Sequence, residues 1–423
     1  MKKRNVYTRK LDEQAKVFAL SSGKKYSSIF RLTVFLKENV NSEKLSEALI
    51  LALNKYQAFK VKMKKSFYRY FLEENEKNPI IKEECKTDFT KINTKENNDY
   101  LFKVTYFENR VDVQFFHALT DGNGGMKFVK EIIYNYIKLQ NPDKFEEVNN
   151  SIQIIKDSEN AYKNAYKNFN DKIDSLRKAY HITGEMLSDN KTEVNHLNID
   201  LDLLKNCSKE KNATLSIYII SMIAYSIYET SYLKSNGKKP INLNIPIDLN
   251  KYFETETISN FFSYITIDLH LKRSRYYTFE NILDMVKKQF EIKLKLEYFM
   301  SNIASNIRKM NSVYIKMIPL AIKKIGFLIG SKSVKKKFTM TISNIGKIDI
   351  DSEFKEYIDK VYVTLVPDWA EKIKCGICSY DNNLIVTFGT KLKENFVENK
   401  FIELLKENNI SYKIDGNMLE VGV

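Results

Sequence analysis

Phe115-Phe116-His117-Ala118-Leu119-Thr120-Asp121-Gly122 is the stretch on which the reading of this chain turns. An apolar, β-forming run delivers a histidine into a turn, and a carboxylate and a glycine follow at fixed spacing. Imidazole has an ordinary pKa near neutrality. A histidine held rigidly at the end of a buried strand is therefore suited to take a proton from a hydroxyl or an amine. Gly122 permits a turn with positive φ, and Gly124 and Gly125 leave room for a slender ligand to approach. Asp121, just before a helical pattern, reads as the cap of that helix and as a pin for the loop, paired with an arginine or lysine elsewhere. Taken alone, a histidine at a strand end is more often structural than catalytic. A calcium loop is excluded, because Met126 and Ile132 stand where it needs a glycine and a bidentate acid. No metal site is expected, since no further ligands stand at zinc-binding spacing.

Outward from this stretch, the chain alternates strand-like and helix-like patterns. Residues 28–37, 67–72, 100–107 and 111–116 predict strands, the last two joined as a hairpin at Asn109-Arg110. Helices are predicted over 43–56, capped by Asn41-Ser42, and over 126–139. From Pro142 to about Asn195 the chain is polar and weakly periodic, with 161–168 reading as a loose surface helix. A second alternating series follows, with strands at 195–201, 241–247, 261–271, 338–343, 361–366 and 384–389, and helices at 213–232, 279–297 and 394–406. The organisation expected is a first half over residues 1–165, a crossover linker over 166–193 and a second half over 194–423.

The length of 423 residues, the hydrophobic share of 43% and the aromatic share of 13% fit a globular chain with two well-filled cores. A net charge of +15 would attract nucleic acid, anionic lipid or a phosphorylated small molecule. The abundance of Lys, Asn, Ile and Tyr, the residues of A/T-rich codons, accounts for that excess equally well. No nucleic-acid-binding motif accompanies the charge, so nucleic acid is not expected as a partner. Four scattered cysteines, no apolar leader and no apolar run of the ~20 residues that span a bilayer point to the cytoplasm. Cys375 and Cys378 would fall on opposite faces of a strand and could not chelate together. His181, His196 and His270 have no partner pattern and read as structural. The apolar run 314–329, flanked by Lys332 and Lys335-Lys336-Lys337, fits either an interfacial membrane helix or an ordinary domain helix with a solvated charge run. The ordinary helix is the stronger reading, so peripheral membrane contact is not expected.

The pattern His-x-x-x-Asp-Gly, here His117, Asp121 and Gly122, resembles the signature of a large acyltransferase superfamily. It contains chloramphenicol acetyltransferases, nonribosomal-peptide condensation domains, plant BAHD acyltransferases and alcohol acetyltransferases. The similarity extends along the chain. Residues 11–18, the strand from Ile29 and residues 61–71 resemble the opening of bacterial alcohol-acetyltransferase-like members, as do residues 244–253 and Ser259-Asn260-Phe261-Phe262-Ser263. Thr341-Ile342-Ser343-Asn344-Ile345-Gly346 resembles a segment of the family's second half. One departure stands out: many relatives carry two adjacent histidines, and Phe116 fills the first place here. The second histidine is the reactive one in those families, so the departure weighs against a condensation-domain role more than against acyl transfer.

The resemblance implies an α/β fold of the α+β sandwich type, with two chloramphenicol-acetyltransferase-like halves forming a V around a tunnel. It implies an acyltransferase with no bound cofactor, whose co-substrate is an acyl-CoA or an acyl carrier protein thioester. His117 would deprotonate an alcohol or amine that attacks the thioester directly. Ser343 and Asn344 are then candidate oxyanion donors, Asn260 a candidate tunnel residue, and Asp121 and Gly122 structural parts of the motif. The alternative is a non-catalytic relative that binds an acyl ligand or a partner on the same scaffold.

Overall fold

The structure is a computed structural model and describes residues 7–22, 28–85, 89, 92–145, 161–162, 176–188, 191–235 and 237–416. In chain order the described strands are β1 (Thr8–Lys10), β2 (Ile29–Leu36), β3 (Val61–Lys65), β4 (Tyr70–Glu74), β5 (Ile81–Glu83), β6 (Phe102–Phe107), β7 (Arg110–Phe116), β8 (Glu193–Asp200), β9 (Ile241–Asp248), β10 (Phe262–Leu269), β11 (Met340–Lys347), β12 (Ile358–Leu365), β13 (Ile373–Tyr380), β14 (Asn383–Thr390) and β15 (Tyr412–Gly416). They form a five-stranded sheet ordered β12-β2-β7-β6-β5, a seven-stranded sheet ordered β10-β9-β11-β13-β14-β8-β15, and a small sheet ordered β1-β4-β3. The architecture is thus a mixed α/β fold in two halves, each built on one large sheet.

Three helices of the first half position the histidine turn: α1 (Glu13–Ser21), α2 (Ser42–Lys55) and α3 (Gly122–Gln140). Asn41 caps α2 by accepting a hydrogen bond from the Lys44 amide at 3.0 Å. Leu45, Leu49 and Ala52 of α2 and Phe128 and Ile132 of α3 join Leu32, Val113 and Phe115 of the five-stranded sheet in one buried cluster. The apolar residues recur at helical spacing on the helices and alternate on the strands, which lets both faces interlock. A second cluster packs Tyr218, Ile219 and Ile223 against Leu243, Ile265 and Val386 of the seven-stranded sheet.

Two strands help join the halves. β12 crosses over to pair antiparallel with β2, with Val361 opposite Val34. β13 faces both cores: Cys375 belongs to the second cluster and Cys378 to the first, the opposite orientation that residues three apart on a strand must have.

Several expectations need correction. Gly122, Gly124 and Gly125 lie in the first turn of α3 instead of in a loop before it. Phe67 and Tyr68 lie in the turn joining β3 to β4, closed by the Ser66 amide donating to the Arg69 carbonyl at 2.8 Å, so the strand starts at Tyr70. The helix expected over 279–297 is two helices, Phe279–Lys293 and Leu296–Asn311, and no glycine or proline marks the break. Most of the expected 161–168 helix and residues 166–175 and 189–190 of the expected linker lie outside the described residues. Ala161 and Tyr162 themselves are buried, which a loose surface helix would not be. The largest departure is the run 314–329, expected to be an ordinary domain helix, which is divided between the short helix Val313–Met317 and the helix Leu320–Lys335. Leu320 is the one buried residue of the latter.

Candidate active site

β7 ends at Phe116 and the chain turns at once. The His117 amide donates to the Ser28 carbonyl at 2.8 Å, holding the turn against the start of β2. The His117 ring stacks on Phe18 of α1, with centroids 4.4 Å apart and planes 18° apart, and Phe30 and Phe262 stand at 4.8 and 5.9 Å. Its remaining accessible surface lines a cavity of about 760 Å³ between the halves. Phe116 packs instead with Ile29, Ile92 and Val366. The place of a first histidine is therefore taken by an apolar packing residue.

The tautomer of His117 follows from its neighbours. Asn260 Nδ2 donates to the His117 carbonyl at 3.0 Å, and also to Asp12 Oδ2 at 3.2 Å. A carbonyl can only accept, so the amide group must face it, and Asn260 Oδ1 must face His117 Nδ1, 3.2 Å away. Nδ1 therefore carries the proton, and Nε2 keeps the lone pair of a base. Burial lowers the His117 pKa from 6.5 to about 4, against the pull of the Asn260 hydrogen bond, while the Lys374 charge adds to the lowering. The ring is neutral at pH 7.

Asp12 completes this chain of contacts. It caps α1 through Oδ1, which accepts from the Ala15 amide at 2.7 Å, and its other oxygen holds Asn260. Burial pushes its pKa up to about 6. Neither this cap nor the partner 248 residues away was anticipated from the sequence. Removing the Asn260 side chain should cost roughly 1–3 kcal/mol of stability, because the His117 carbonyl and an Asp12 oxygen lose their buried donor. A lower urea-unfolding midpoint for Asn260→Ala than for wild type would check this.

Asp121 caps α3: Oδ1 accepts from the Gly124 amide at 3.0 Å, and Oδ2 accepts from the Phe261 amide of the second half at 2.9 Å. Its partners are these two backbone amides, not the expected arginine or lysine. An α-helix start already offers unpaired N–H groups, so a carboxylate is satisfied there without a buried cation. Burial pushes the Asp121 pKa up to about 7, although both amides pull it down. Thr120 adds a third tie, donating to the Ile258 carbonyl at 2.7 Å. Residues 258–261 thus clamp the whole His117-to-Gly122 turn.

Gly122 does not use positive φ, because it is the first residue of α3. Its missing side chain matters for space: a Cβ would stand 3.0 Å from Ile345 Cγ2. Gly124 and Gly125 likewise open no path for a ligand. Their absent Cβ atoms face the Ile258 carbonyl and the rings of Phe115 and Phe30, and close packing is what they serve.

Ser343 and Asn344 of β11 both reach the cavity that His117 lines. Asn344 is engaged, donating to Ser216 Oγ at 3.0 Å and accepting from the Gly346 amide at 2.8 Å. Asn260 lies behind the histidine and does not line the cavity. A charged cluster on the same cavity wall was not anticipated from the sequence. Lys335 and Lys374 meet Asp368 at 2.6 and 3.3 Å, Lys374 meets Glu371 at 3.5 Å, and Thr341 Oγ1 donates to Glu371 at 2.5 Å. Burial opposes the charge on both members of the central pair. Lys374 and Lys335 nonetheless hold Asp368 below the usual carboxylate range, and Asp368 with Glu371 holds Lys374 above the usual lysine range. The signal was a lysine within an otherwise apolar strand, Ile373-Lys374-Cys375.

No family model matches the sequence, and no curated protein matches it. Solved structures do match in fold. F. sporotrichioides TRI101, solved with coenzyme A and T-2, aligns with a TM-score of 0.62 at 8% identity, over 96% of this chain and 99% of that one. The first condensation domain of the calcium-dependent antibiotic synthetase aligns at 0.58 and 10% identity, over 95% and 96%. The trichothecene 15-O-acetyltransferase TRI3 from Fusarium sporotrichioides aligns at 0.54 and 10% identity, over 95% and 94%. The fold is the one these proteins share. At such identities the likeness is one of fold alone, and it runs nearly end to end in both partners of each comparison.

Proposed function

We propose that this protein transfers an acyl group from a thioester, carried by coenzyme A or an acyl carrier protein, to an alcohol or amine, with His117 as general base. One observation carries the reading. A neutral imidazole, its Nδ1 proton committed to Asn260, borders a cavity of about 760 Å³ between the two halves. The shared fold with an acetyltransferase and with a protein solved with coenzyme A bound supports it.

Nε2 takes the proton of the acceptor hydroxyl or amine as the oxygen or nitrogen attacks the thioester carbonyl. The tetrahedral intermediate collapses with cleavage of the carbon–sulfur bond. The leaving thiolate takes the proton back from the imidazolium, and free thiol and acylated acceptor result. The oxyanion needs a donor while it exists. Ser343 is the better placed of the two candidates, because the Asn344 amide already holds Ser216. The largely apolar cavity wall, with Phe18, Ile318 and Phe327 among its residues, suits an acyl chain.

The test is release of free thiol from a panel of acyl-CoAs, with and without pooled alcohols and amines. Acceptor-dependent release by wild type and none by His117→Ala supports the proposal. Silence from wild type across the panel, and across the same acyl groups on a carrier protein, favours a non-catalytic binder of acyl ligands. Once a substrate pair with an alcohol acceptor is in hand, kcat/KM should show no His117 step from pH 7 to about 5, and any change there belongs to Asp121 and Asp12, whose pKa values lie near 7 and 6. Below that, kcat/KM should fall with a midpoint near pH 4, because the base works deprotonated and burial has lowered its pKa to about 4.

A further inference from the structure

The helix Leu320–Lys335 leaves apolar side chains in water: Ile322, Ile325 and Ile329 are 58%, 60% and 64% exposed, and Met317 just before it is 71% exposed. Next to it stands the tip of the β3–β4 hairpin, with Phe67 68% and Tyr68 49% exposed. The two are one surface, because the Leu320 amide donates to the Phe67 carbonyl at 2.8 Å and Lys323 Nζ donates to the Tyr68 carbonyl at 2.9 Å. Among the described residues nothing covers these side chains. Charge tells what would. Residues 298–348 contain ten lysines and arginines and no aspartate or glutamate. Lys316, Lys324 and Lys332 flank the isoleucines, and Lys64 and Arg69 flank the aromatic tip.

We infer that the Leu320–Lys335 helix and the Phe67-Tyr68 tip form a docking surface for an anionic membrane, with the helix lying in the plane of the interface. Apolar side chains enter the acyl boundary, aromatic tips sit at the headgroups, and lysines meet anionic lipid. The helix has 16 residues, and no described helix is long and apolar enough to cross a bilayer, so it lies on the membrane. A second copy of the chain fits poorly, since a symmetric contact would set the same lysines against each other. A protein partner fits less well too, because lysine is depleted in protein interfaces. The surface also borders the cavity: Ile318, Ile322, Phe327 and Val334 line it together with His117. The cavity mouth therefore opens at the membrane, within reach of a molecule dissolved in the bilayer. The docking stands on its own, whatever His117 does.

Flotation of the full chain with phosphatidylcholine vesicles, with and without phosphatidylglycerol, tests this. Wild type should bind the phosphatidylglycerol vesicles about tenfold more tightly or better, and added salt should weaken that binding. The double variants Ile325→Asp/Ile329→Asp and Lys324→Glu/Lys332→Glu should each lose about tenfold or more with an unchanged Tm. Phe67→Asp, on the separate hairpin, should weaken binding as well and covers the case of a helix variant that does not fold. Absence of vesicle binding by wild type overturns the inference. So does binding that survives both Ile325→Asp/Ile329→Asp and Phe67→Asp, or a dimer in light scattering that these variants dissolve while vesicles stay unbound.

Discussion

His117→Ala is expected to lower kcat for acyl transfer by roughly two to four orders of magnitude, the usual worth of a positioned general base. KM should change little, because the imidazole is one residue on a large cavity wall. Two neighbours make the effect large. Burial keeps the ring neutral at pH 7, and Asn260 commits Nδ1 as the donor, so all of the enzyme holds the competent form before substrate arrives. Steady-state kinetics of the variant against wild type is the check, with the fold verified by circular dichroism. A fall of less than about tenfold would mean that the proton goes elsewhere, since one positioned base accounts for far more.

Gly124→Ala should destabilise the protein by roughly 2–4 kcal/mol, although alanine is the better helix former by about 1 kcal/mol. The new Cβ would stand 2.3 Å from the Ile258 carbonyl oxygen and 2.3 Å from Thr120 Oγ1. The carbonyl is backbone and cannot swing aside. The Thr120 hydroxyl can move only by giving up its bond to that carbonyl, which leaves buried polar groups unpaired. The clash and the lost bond together exceed the gain in propensity. Urea unfolding would show a lower midpoint at constant slope, and activity should fall too, since these contacts aim His117.

Much of the site could be read from local pattern. The strand ending at Phe116 and the capping Asp121 were legible because alternation and cap chemistry are short-range signals, and the second-half segment from Thr341 was reached through its resemblance to a family segment. What decides the chemistry is long-range. Asp12, Asn260 and His117 come together across 248 and 143 residues of sequence, and no periodicity announces such a meeting. The role given to the glycines failed for a related reason: what a missing side chain makes room for depends on elements far away in sequence. The pairing of Asp121 with a cation failed because a helix start supplies donors of its own. Hydropathy marked residues 314–329 as apolar, yet hydropathy gives no sign of whether the rest of the chain will cover a helix.

The central claim is that His117 is neutral, protonated on Nδ1 and free to accept a proton at Nε2 inside the cavity. The most direct test needs no substrate: an NMR titration of the ring nitrogens of ¹⁵N-histidine-labelled protein, with His117 assigned by its loss in His117→Ala. A single Nδ1–H tautomer is expected at pH 7, taking up a proton only near pH 4. A ring that exchanges between tautomers and titrates near 6.5, as free histidine does, would contradict the claim.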